Sequence, residues 1–256
     1  MPARWLITGL NGTLAPLLAE AAQNGGADVV GWDRSRADPG DTAACAAWLD
    51  ACRPDTIAHL AMGRPEWAGQ LAAHAAARAL PFVFTSTAMV FHHEPDGPHA
   101  VADERTAQDD YGRYKMACED AVLAAWPGAS VVRIGWQIDP TRPGNNMLRA
   151  LDDWQARDGC VRASSAWRPA CSFMTDTAAA LAGLLRKPQP GVLHLDSNAE
   201  HGHSFDQIVA ALRTAFARRH WRVEVNEDYR HDQRLAGGGL LVPPLAARLR
   251  ELGAAP

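Results

Sequence analysis

The feature that most constrains this chain is a short apolar run that ends in a glycine-containing turn. Residues 5–7 are apolar, Gly9 and Gly12 follow shortly after, and leucines at helical spacing begin at Leu14. This order predicts a buried strand, a tight turn and the start of a helix. Gly9 can adopt backbone angles closed to other residues, and Gly12 lets a ligand approach the backbone. Because a helix start offers unpaired N–H groups and a positive dipole end, the turn suits a diphosphate.

An acidic residue further along the chain strengthens this interpretation. Ala15 stands where the third glycine of the dinucleotide fingerprint stands, and alanine is permitted there. Asp33 ends the next apolar run, about 20 residues further on, where the residue that binds the adenosine ribose is expected. Arg34 and Arg36 would favour a 2′-phosphate, whereas Asp33 would repel it. The sequence therefore predicts a site for NAD(H) or NADP(H) and leans slightly to NAD(H).

Composition limits the other classes of function. The chain has 256 residues, of which 47% are hydrophobic, and its formal net charge is −4. It can bury a substantial core as one domain, or as one domain with a small annex, and its charge indicates neither a nucleic acid nor a membrane as a partner. The five cysteines are scattered without metal-ligand spacing. We therefore expect a cytoplasmic protein with reduced, buried thiols and no metal site.

Strands and helices alternate through the first half of the chain. Strand patterns cover residues 56–61, 81–87 and 129–136, and helical patterns cover 42–52, 65–80 and 110–125. The alternation predicts an α/β fold with a Rossmann-type, doubly wound parallel sheet. Ligands in such sheets bind beyond the carboxyl ends of the strands, where Asp33, Ala61, Thr87 and Trp136 all fall.

The second half has a looser pattern. It predicts helices over 146–157, 175–185 and 205–216, a loop over 162–171, and a strand over 191–195 that could rejoin the main sheet. We therefore expect a dinucleotide-binding core over 1–136, rejoined by about 172–196. The remaining segments, 137–171 and 197–256, are expected to form a small substrate-binding region.

A tyrosine and a lysine lie four residues apart in the predicted helix over 110–125. Tyr111 and Lys115 would share one helix face, one turn apart. A free tyrosine has a pKa near ~10, and a neighbouring ammonium is expected to lower it. The same lysine can hydrogen-bond a ribose hydroxyl. Tyr114 precedes Lys115 directly, so we expect it to face another side and to be structural.

Taken together, these motifs resemble those of the extended short-chain dehydrogenases/reductases. Within that superfamily the chain is most similar to the dTDP-4-dehydrorhamnose reductase-like, sugar-nucleotide-binding group. The similarity runs along nearly the whole chain and rests on residues 8–15, 53–55, 86–91, 111–115 and 132–136.

The resemblance implies a catalytic set of Thr87, Tyr111 and Lys115. Tyr111 would protonate the alkoxide that forms at a keto group, and Thr87 would hydrogen-bond the substrate oxygen. The residues implied to bind the cofactor are Gly9, Leu10, Asn11, Gly12, Thr13, Leu14, Asp33, Arg34, Leu60, Ala61, Met62, Thr85, Tyr111, Lys115 and Ile134. The residues expected to contact the substrate are Ser86, Thr87, Met89, Trp136 and Asn146.

Two departures from the family pattern stand out. The segment between Ala61 and Trp67 is shorter than usual, and the asparagine expected early in the following helix is missing. Ala88 and Met89 replace the usual Asp-Tyr pair and also exclude the Asp-Glu pair of sugar-nucleotide dehydratases. Without that carboxylate pair there is no evident acid and base for eliminating water, so we reject 4,6-dehydratase chemistry.

The expected activity is reduction of a keto group on a nucleotide-linked 4-keto sugar. Two alternatives stay open at this point. One is a nucleotide-sugar epimerase with tightly held NAD⁺, and the other is a non-catalytic, cofactor-binding regulatory subunit. The resemblance also admits a homodimer.

Overall fold

Strands and helices follow one another through the first half of the chain, as the sequence predicts. The computed structural model describes residues 2–237 and 241–254. Its strands are β1 (Arg4–Thr8), β2 (Asp28–Gly31), β3 (Thr56–His59), β4 (Phe82–Thr87), β5 (Ser130–Ile134), β6 (Trp136–Ile138), β7 (Val161–Ser164), β8 (Trp167–Arg168), β9 (Cys171–Phe173), β10 (Gly191–Leu195), β11 (Val223–Asn226) and β12 (His231–Asp232). Its α-helices are α1 (Leu14–Asn24), α2 (Thr42–Cys52), α3 (Pro65–Arg78), α4 (Asp110–Ala125), α5 (Met147–Asp158), α6 (Met174–Arg186), α7 (Phe205–Ala215) and α8 (Leu245–Glu251).

Six strands form the main sheet in the order β10-β5-β4-β3-β1-β2. Strand β1 pairs in parallel with β2 and β3, and β3 pairs in parallel with β4. This arrangement confirms the predicted Rossmann-type parallel sheet, including the return of the strand over 191–195 to it. The four residues of β3 and the six of β4 are all buried, as the apolar runs in the sequence indicate.

The chain divides into two compact units. The first runs to Val90 and also contains Gln108–Arg133 and Ala178–Leu193. The second contains Phe91–Ala107, Ile134–Thr177 and the chain from His194 onward. Within the described residues, no helix combines the length and the apolar character needed to cross a membrane.

Helix α4, which carries the predicted tyrosine and lysine, is held at its start and in its middle. Asp109 caps it by accepting a hydrogen bond from Gly112 N at 2.8 Å. Glu119 then binds Arg133 of β5 through two charge-assisted bonds of 2.9 and 2.8 Å. Both side chains are buried, so the pair is shielded from water and joins the helix to the sheet with bidentate geometry.

The second unit differs from the prediction at two places. The expected loop over 162–171 contains most of β7 and all of β8, and the expected strand over 129–136 is interrupted at Gly135. The physical reason is pairing with distant segments: β6 pairs with β9, and β7 pairs with β11. Strands of two to four residues have too few alternations to reveal themselves in the local pattern.

The turn between β1 and α1 depends on Gly9. This residue has a φ of +84°, which side-chain-bearing residues rarely adopt. It also lies against the chain that leaves β3, because a Cβ at Gly9 would be 3.0 Å from Ala61 N and 3.2 Å from Leu60 C. Gly12 N closes the turn with a 2.8 Å hydrogen bond to Gly9 O.

Replacing Gly9 by alanine is expected to destabilise the protein more than the same change at Gly26. Gly26 has a similar φ of +81°, but no atom would lie within 4 Å of an added Cβ. Gly26→Ala therefore measures backbone strain alone, about 1–2 kcal/mol. Gly9→Ala adds a tight contact with backbone, which should cost at least about 1 kcal/mol more. Urea unfolding of both variants checks this, and equal losses of unfolding free energy would contradict it.

Candidate active site

The end of β4 and the first turn of α4 bring two predicted catalytic residues together. Thr87 is the last residue of β4, and Tyr111 lies in the first turn of α4. Their side chains share a hydrogen bond. Thr87 Oγ1 also accepts a hydrogen bond from Met89 N at 3.2 Å, which helps to orient its hydroxyl. Tyr111 remains 40% exposed, so the pair can be reached from solvent.

Lys115 follows one turn later and is almost fully buried. Its Nζ donates a hydrogen bond of 2.8 Å to Thr85 O. The same ammonium lies 4.8 Å from the ring centroid of Phe84, 5.7 Å from that of Tyr114 and 6.0 Å from that of Tyr111. Ring faces attract a cation but do not replace its hydration. Burial therefore lowers the pKa of Lys115 to about 8.

The pKa of Tyr111 is raised in the structure, whereas the sequence predicts that Lys115 lowers it. Burial raises the pKa of Tyr111, and the hydrogen bond with Thr87 offsets this only in part. The prediction that the ammonium would lower this pKa is wrong, because Lys115 directs its Nζ to the Thr85 carbonyl rather than to the phenol. Tyr111 is consequently a protonated hydroxyl at neutral pH, the form that can donate a proton.

The predicted cofactor side of the site is organised by Thr8, the last residue of β1. Thr8 Oγ1 accepts hydrogen bonds of 3.0 Å from both Leu60 N and Ala61 N. It also lies 2.8 Å from Nδ1 of the buried His59. Because the hydroxyl oxygen already receives two N–H groups, its own hydrogen points to His59 Nδ1. Burial, followed by the charges of Lys115 and Arg34, lowers the pKa of His59 to about 3, so the ring is neutral.

The residues of the glycine turn present backbone to solvent, as a dinucleotide requires. Asn11 and Gly12 are exposed, Leu10 and Thr13 are half-buried, and Leu14 is buried at the start of α1. Among the described residues, the side chain of Thr13 makes no capping hydrogen bond to α1. Thr13 therefore leaves the N–H groups of the first helical turn free of a capping side chain from the described residues, and a diphosphate could accept from them.

The two residues that bear on the choice of cofactor are engaged differently. Asp33 Oδ1 accepts hydrogen bonds from Ser35 Oγ at 2.6 Å and Ser35 N at 2.9 Å, and Arg36 Nε lies 3.3 Å from Oδ2. These contacts, with Ser35 the larger cause, hold the pKa of Asp33 below its usual range. Arg34 donates to Met62 O, and its guanidinium lies 5.7 Å from the ring centroid of Trp67.

The predicted substrate contacts divide between the two units. In the first, Ser86 Oγ is buried without a hydrogen-bond partner in the described part of the chain, and Met89 is 41% exposed. In the second, Trp136 lies in an aromatic cluster with Trp154, Trp167 and Phe205, with ring centroids 6.0–6.1 Å away.

Two other residues that the sequence predicts to bind ligands, Asn146 and Ile134, have defined places in the fold. Asn146 caps α5 by accepting from Arg149 N at 3.0 Å, and its Nδ2 donates to Arg142 O at 3.0 Å. The side chain is buried, so a substrate contact would require the cap to open. Ile134 is the last residue of β5 and is partly buried. Contacts of Ile134, Trp136 and Asn146 with ligands stay predictions.

Sequence reasoning missed the role of His59 and assigned Tyr114 only a structural one. The signal for His59 was a polar residue inside the apolar run over 56–61. No local signal identified the partner of Tyr114, whose hydroxyl accepts a hydrogen bond from Gly63 N at 3.1 Å.

Comparisons with known proteins identify relatives of this chain and a solved structure with the same fold. The dTDP-4-dehydrorhamnose reductase of Mycolicibacterium smegmatis is 30% identical over 233 residues, covering 85% of this chain and 71% of that protein. The dTDP-4-keto-6-deoxy-D-glucose reductase of Streptomyces niveus is 29% identical over 218 residues, covering 78% and 75%. A crystal structure of dTDP-4-dehydrorhamnose reductase from Bacillus anthracis in complex with NADP has the same fold, with a TM-score of 0.80, 17% identity and 98% of both chains covered. A model of the RmlD substrate binding domain matches residues 66–228, and the chain belongs to that family.

Proposed function

We propose that this protein is a nicotinamide-dependent oxidoreductase that reduces the keto group of a nucleotide-linked 4-keto sugar. The observation that carries the proposal is the hydrogen-bonded pair of Thr87 and Tyr111, with Lys115 buried one turn further along the same helix. The reductase names of the Mycolicibacterium smegmatis and Streptomyces niveus relatives support the substrate class.

The residues present fit a nicotinamide dinucleotide. The turn from Gly9 to Leu14 would hold the diphosphate, Asp33 would accept from the adenosine ribose, and Leu60–Met62 would line the cofactor. Lys115 would hydrogen-bond the nicotinamide ribose. When bound, the nicotinamide supplies the hydride that reduces the carbonyl carbon.

Tyr111 and Thr87 would stabilise the negative charge that develops on the carbonyl oxygen of the substrate. As that oxygen gains negative charge, Tyr111 transfers its hydroxyl proton to it and becomes a phenolate. Thr87 donates a hydrogen bond to the same oxygen, which orients the keto group. Lys115 donates to Thr85 O and not to the phenol, so its proposed role is to donate its remaining N–H groups to the nicotinamide ribose, which requires the protonated ammonium.

Removing the Tyr111 hydroxyl is expected to stop turnover while leaving the cofactor bound. Tyr111→Phe deletes the proton donor and keeps the ring, so kcat should fall at least ~100-fold. The dissociation constant for NADH, measured by calorimetry, should stay within about twofold. The assay is NADH or NADPH oxidation with dTDP-4-keto-6-deoxy-D-glucose, the compound in the Streptomyces niveus relative's name. Turnover near the wild-type rate would exclude Tyr111 as the acid.

The rate should fall on the alkaline side because Lys115 loses its charge. Its pKa in the folded protein is about 8, against 10.5 when unperturbed. In the pH dependence of kcat/KM, which reports the free enzyme, we expect a decline above about pH 8. Between these two values the unfolded chain binds more protons than the folded one, so this group's contribution to stability rises with pH while activity falls. A constant kcat/KM between about pH 7 and 9 would contradict this assignment.

We further propose that NAD(H) is preferred. The anionic Asp33 would repel a 2′-phosphate, and Arg34 is already engaged with the Met62 carbonyl. The Bacillus anthracis structure holds NADP, so the preference has to come from this chain's own residues. The second unit is proposed to carry the substrate-binding region predicted for 137–171 and 197–256. A cytoplasmic location and a homodimer stay predictions.

Changing Asp33 should shift the cofactor preference toward NADPH. For the wild type we expect a higher kcat/KM with NADH than with NADPH, measured in the same assay. Asp33→Ala removes the repelling carboxylate and frees Arg36, and should shift the ratio toward NADPH by about tenfold. Arg36→Ala, which leaves the carboxylate in place, is the matched control and should not favour NADPH. A wild-type preference for NADPH would overturn the proposal.

A further inference from the structure

The connection between β3 and α3 is tied down by side chains from three other parts of the first unit. Leu60 N and Ala61 N donate to Thr8 of β1, and Met62 O accepts from Arg34. Gly63 N donates to the hydroxyl of Tyr114 on α4. This connection is also the segment that we expect to be shorter than the family pattern. Its position depends on hydrogen bonds to Thr8, Arg34 and Tyr114.

Tyr114 links this connection to α4, the helix that carries Tyr111 and Lys115. Its hydroxyl accepts a hydrogen bond from Gly63 N at 3.1 Å. Burial raises the pKa of Tyr114, so the phenol stays neutral. Its ring centroid lies 5.7 Å from Lys115 Nζ. One side chain therefore contacts both the proposed cofactor wall and the surroundings of the catalytic ammonium.

Gly63 has little freedom to find another position. A Cβ at this residue would lie 2.4 Å from Cε3 of Trp67, so the backbone runs directly over the indole. Trp67 is itself fixed, because its ring packs edge-on against His59 at 4.6 Å and Trp32 at 5.1 Å. The indole ring of Trp67 packs against one side of the connection between β3 and α3. The Tyr114 hydroxyl fixes the position of the backbone of this connection by accepting a hydrogen bond from Gly63 N.

We propose that Tyr114 is a positioning residue for the cofactor: its hydroxyl holds Gly63, and with it Ala61 and Met62, at a set distance from Lys115. This inference rests on the proposed function, since Ala61 and Met62 are assigned there to the cofactor wall. It replaces the expectation that Tyr114 is structural.

The test is the binding of NADH to Tyr114→Phe, measured by calorimetry. The variant keeps the ring, its packing and its distance to Lys115, and removes only the oxygen that binds Gly63 N. Losing one such hydrogen bond should raise the dissociation constant about fivefold. At saturating NADH and substrate, kcat should stay within about twofold of wild type, because Thr87, Tyr111 and Lys115 are untouched.

Tyr229→Phe is the matched control. It also removes a tyrosine hydroxyl from a hydrogen bond, the 2.9 Å contact with His231 Nδ1 in the second unit. It should leave NADH affinity unchanged. A purely structural role for Tyr114 would lower the melting temperature of Tyr114→Phe without changing NADH affinity, and that result would overturn the inference.

The outcomes separate this inference from the proposed function. If wild-type protein binds NADH and Tyr114→Phe binds it equally well, only the role of Tyr114 falls. If wild-type protein binds neither NADH nor NADPH, the proposed function falls and this inference falls with it. A raised dissociation constant in Tyr114→Phe, with an unchanged value in Tyr229→Phe, supports both.

Discussion

The parallel register that places Thr8 opposite His59 governs the geometry of the site. Because the two strands end at the same edge, the Thr8 hydroxyl can donate to His59 and receive the N–H groups of Leu60 and Ala61. The chain leaving β3 is thereby held close to the chain leaving β1. Gly9 follows Thr8 directly and has no room for a side chain against Ala61. Strand pairing by itself therefore requires a glycine at this position of the turn.

Burial sets the protonation states of helix α4. Glu119 and Arg133 satisfy each other through two hydrogen bonds, so their removal from water is compensated. Among the described residues, Lys115 has one carbonyl acceptor and the faces of aromatic rings, and its burial lowers its pKa. Tyr111 is affected in the opposite direction, because burial disfavours the phenolate. Burial therefore raises the pKa of Tyr111 and lowers the pKa of Lys115, although the two residues lie only one helical turn apart.

Much of the first unit could be predicted because its signals are local. Asp41 and Asp109 cap α2 and α4 where the sequence indicates helix starts, and the apolar runs at β3 and β4 are buried throughout. The second unit was less predictable. Strands β7 and β8 pair with β11 and β12, more than 60 residues away, and stretches of two to four residues carry no periodicity of their own. The pKa of Tyr111 was mispredicted because spacing along a helix does not show where a lysine directs its Nζ.

The sequence by itself determined the alternation of strands and helices, the glycine turn, and the presence of Thr87, Tyr111 and Lys115 at spacings that fit one site. These follow from backbone geometry and from residue periodicity, which act over a few residues. Only the tertiary structure decided that Thr8 hydrogen-bonds across to His59, that Tyr114 reaches Gly63, and that Lys115 is desolvated. Those facts depend on which distant segments meet and how much water is excluded between them, and neither quantity is written in local sequence.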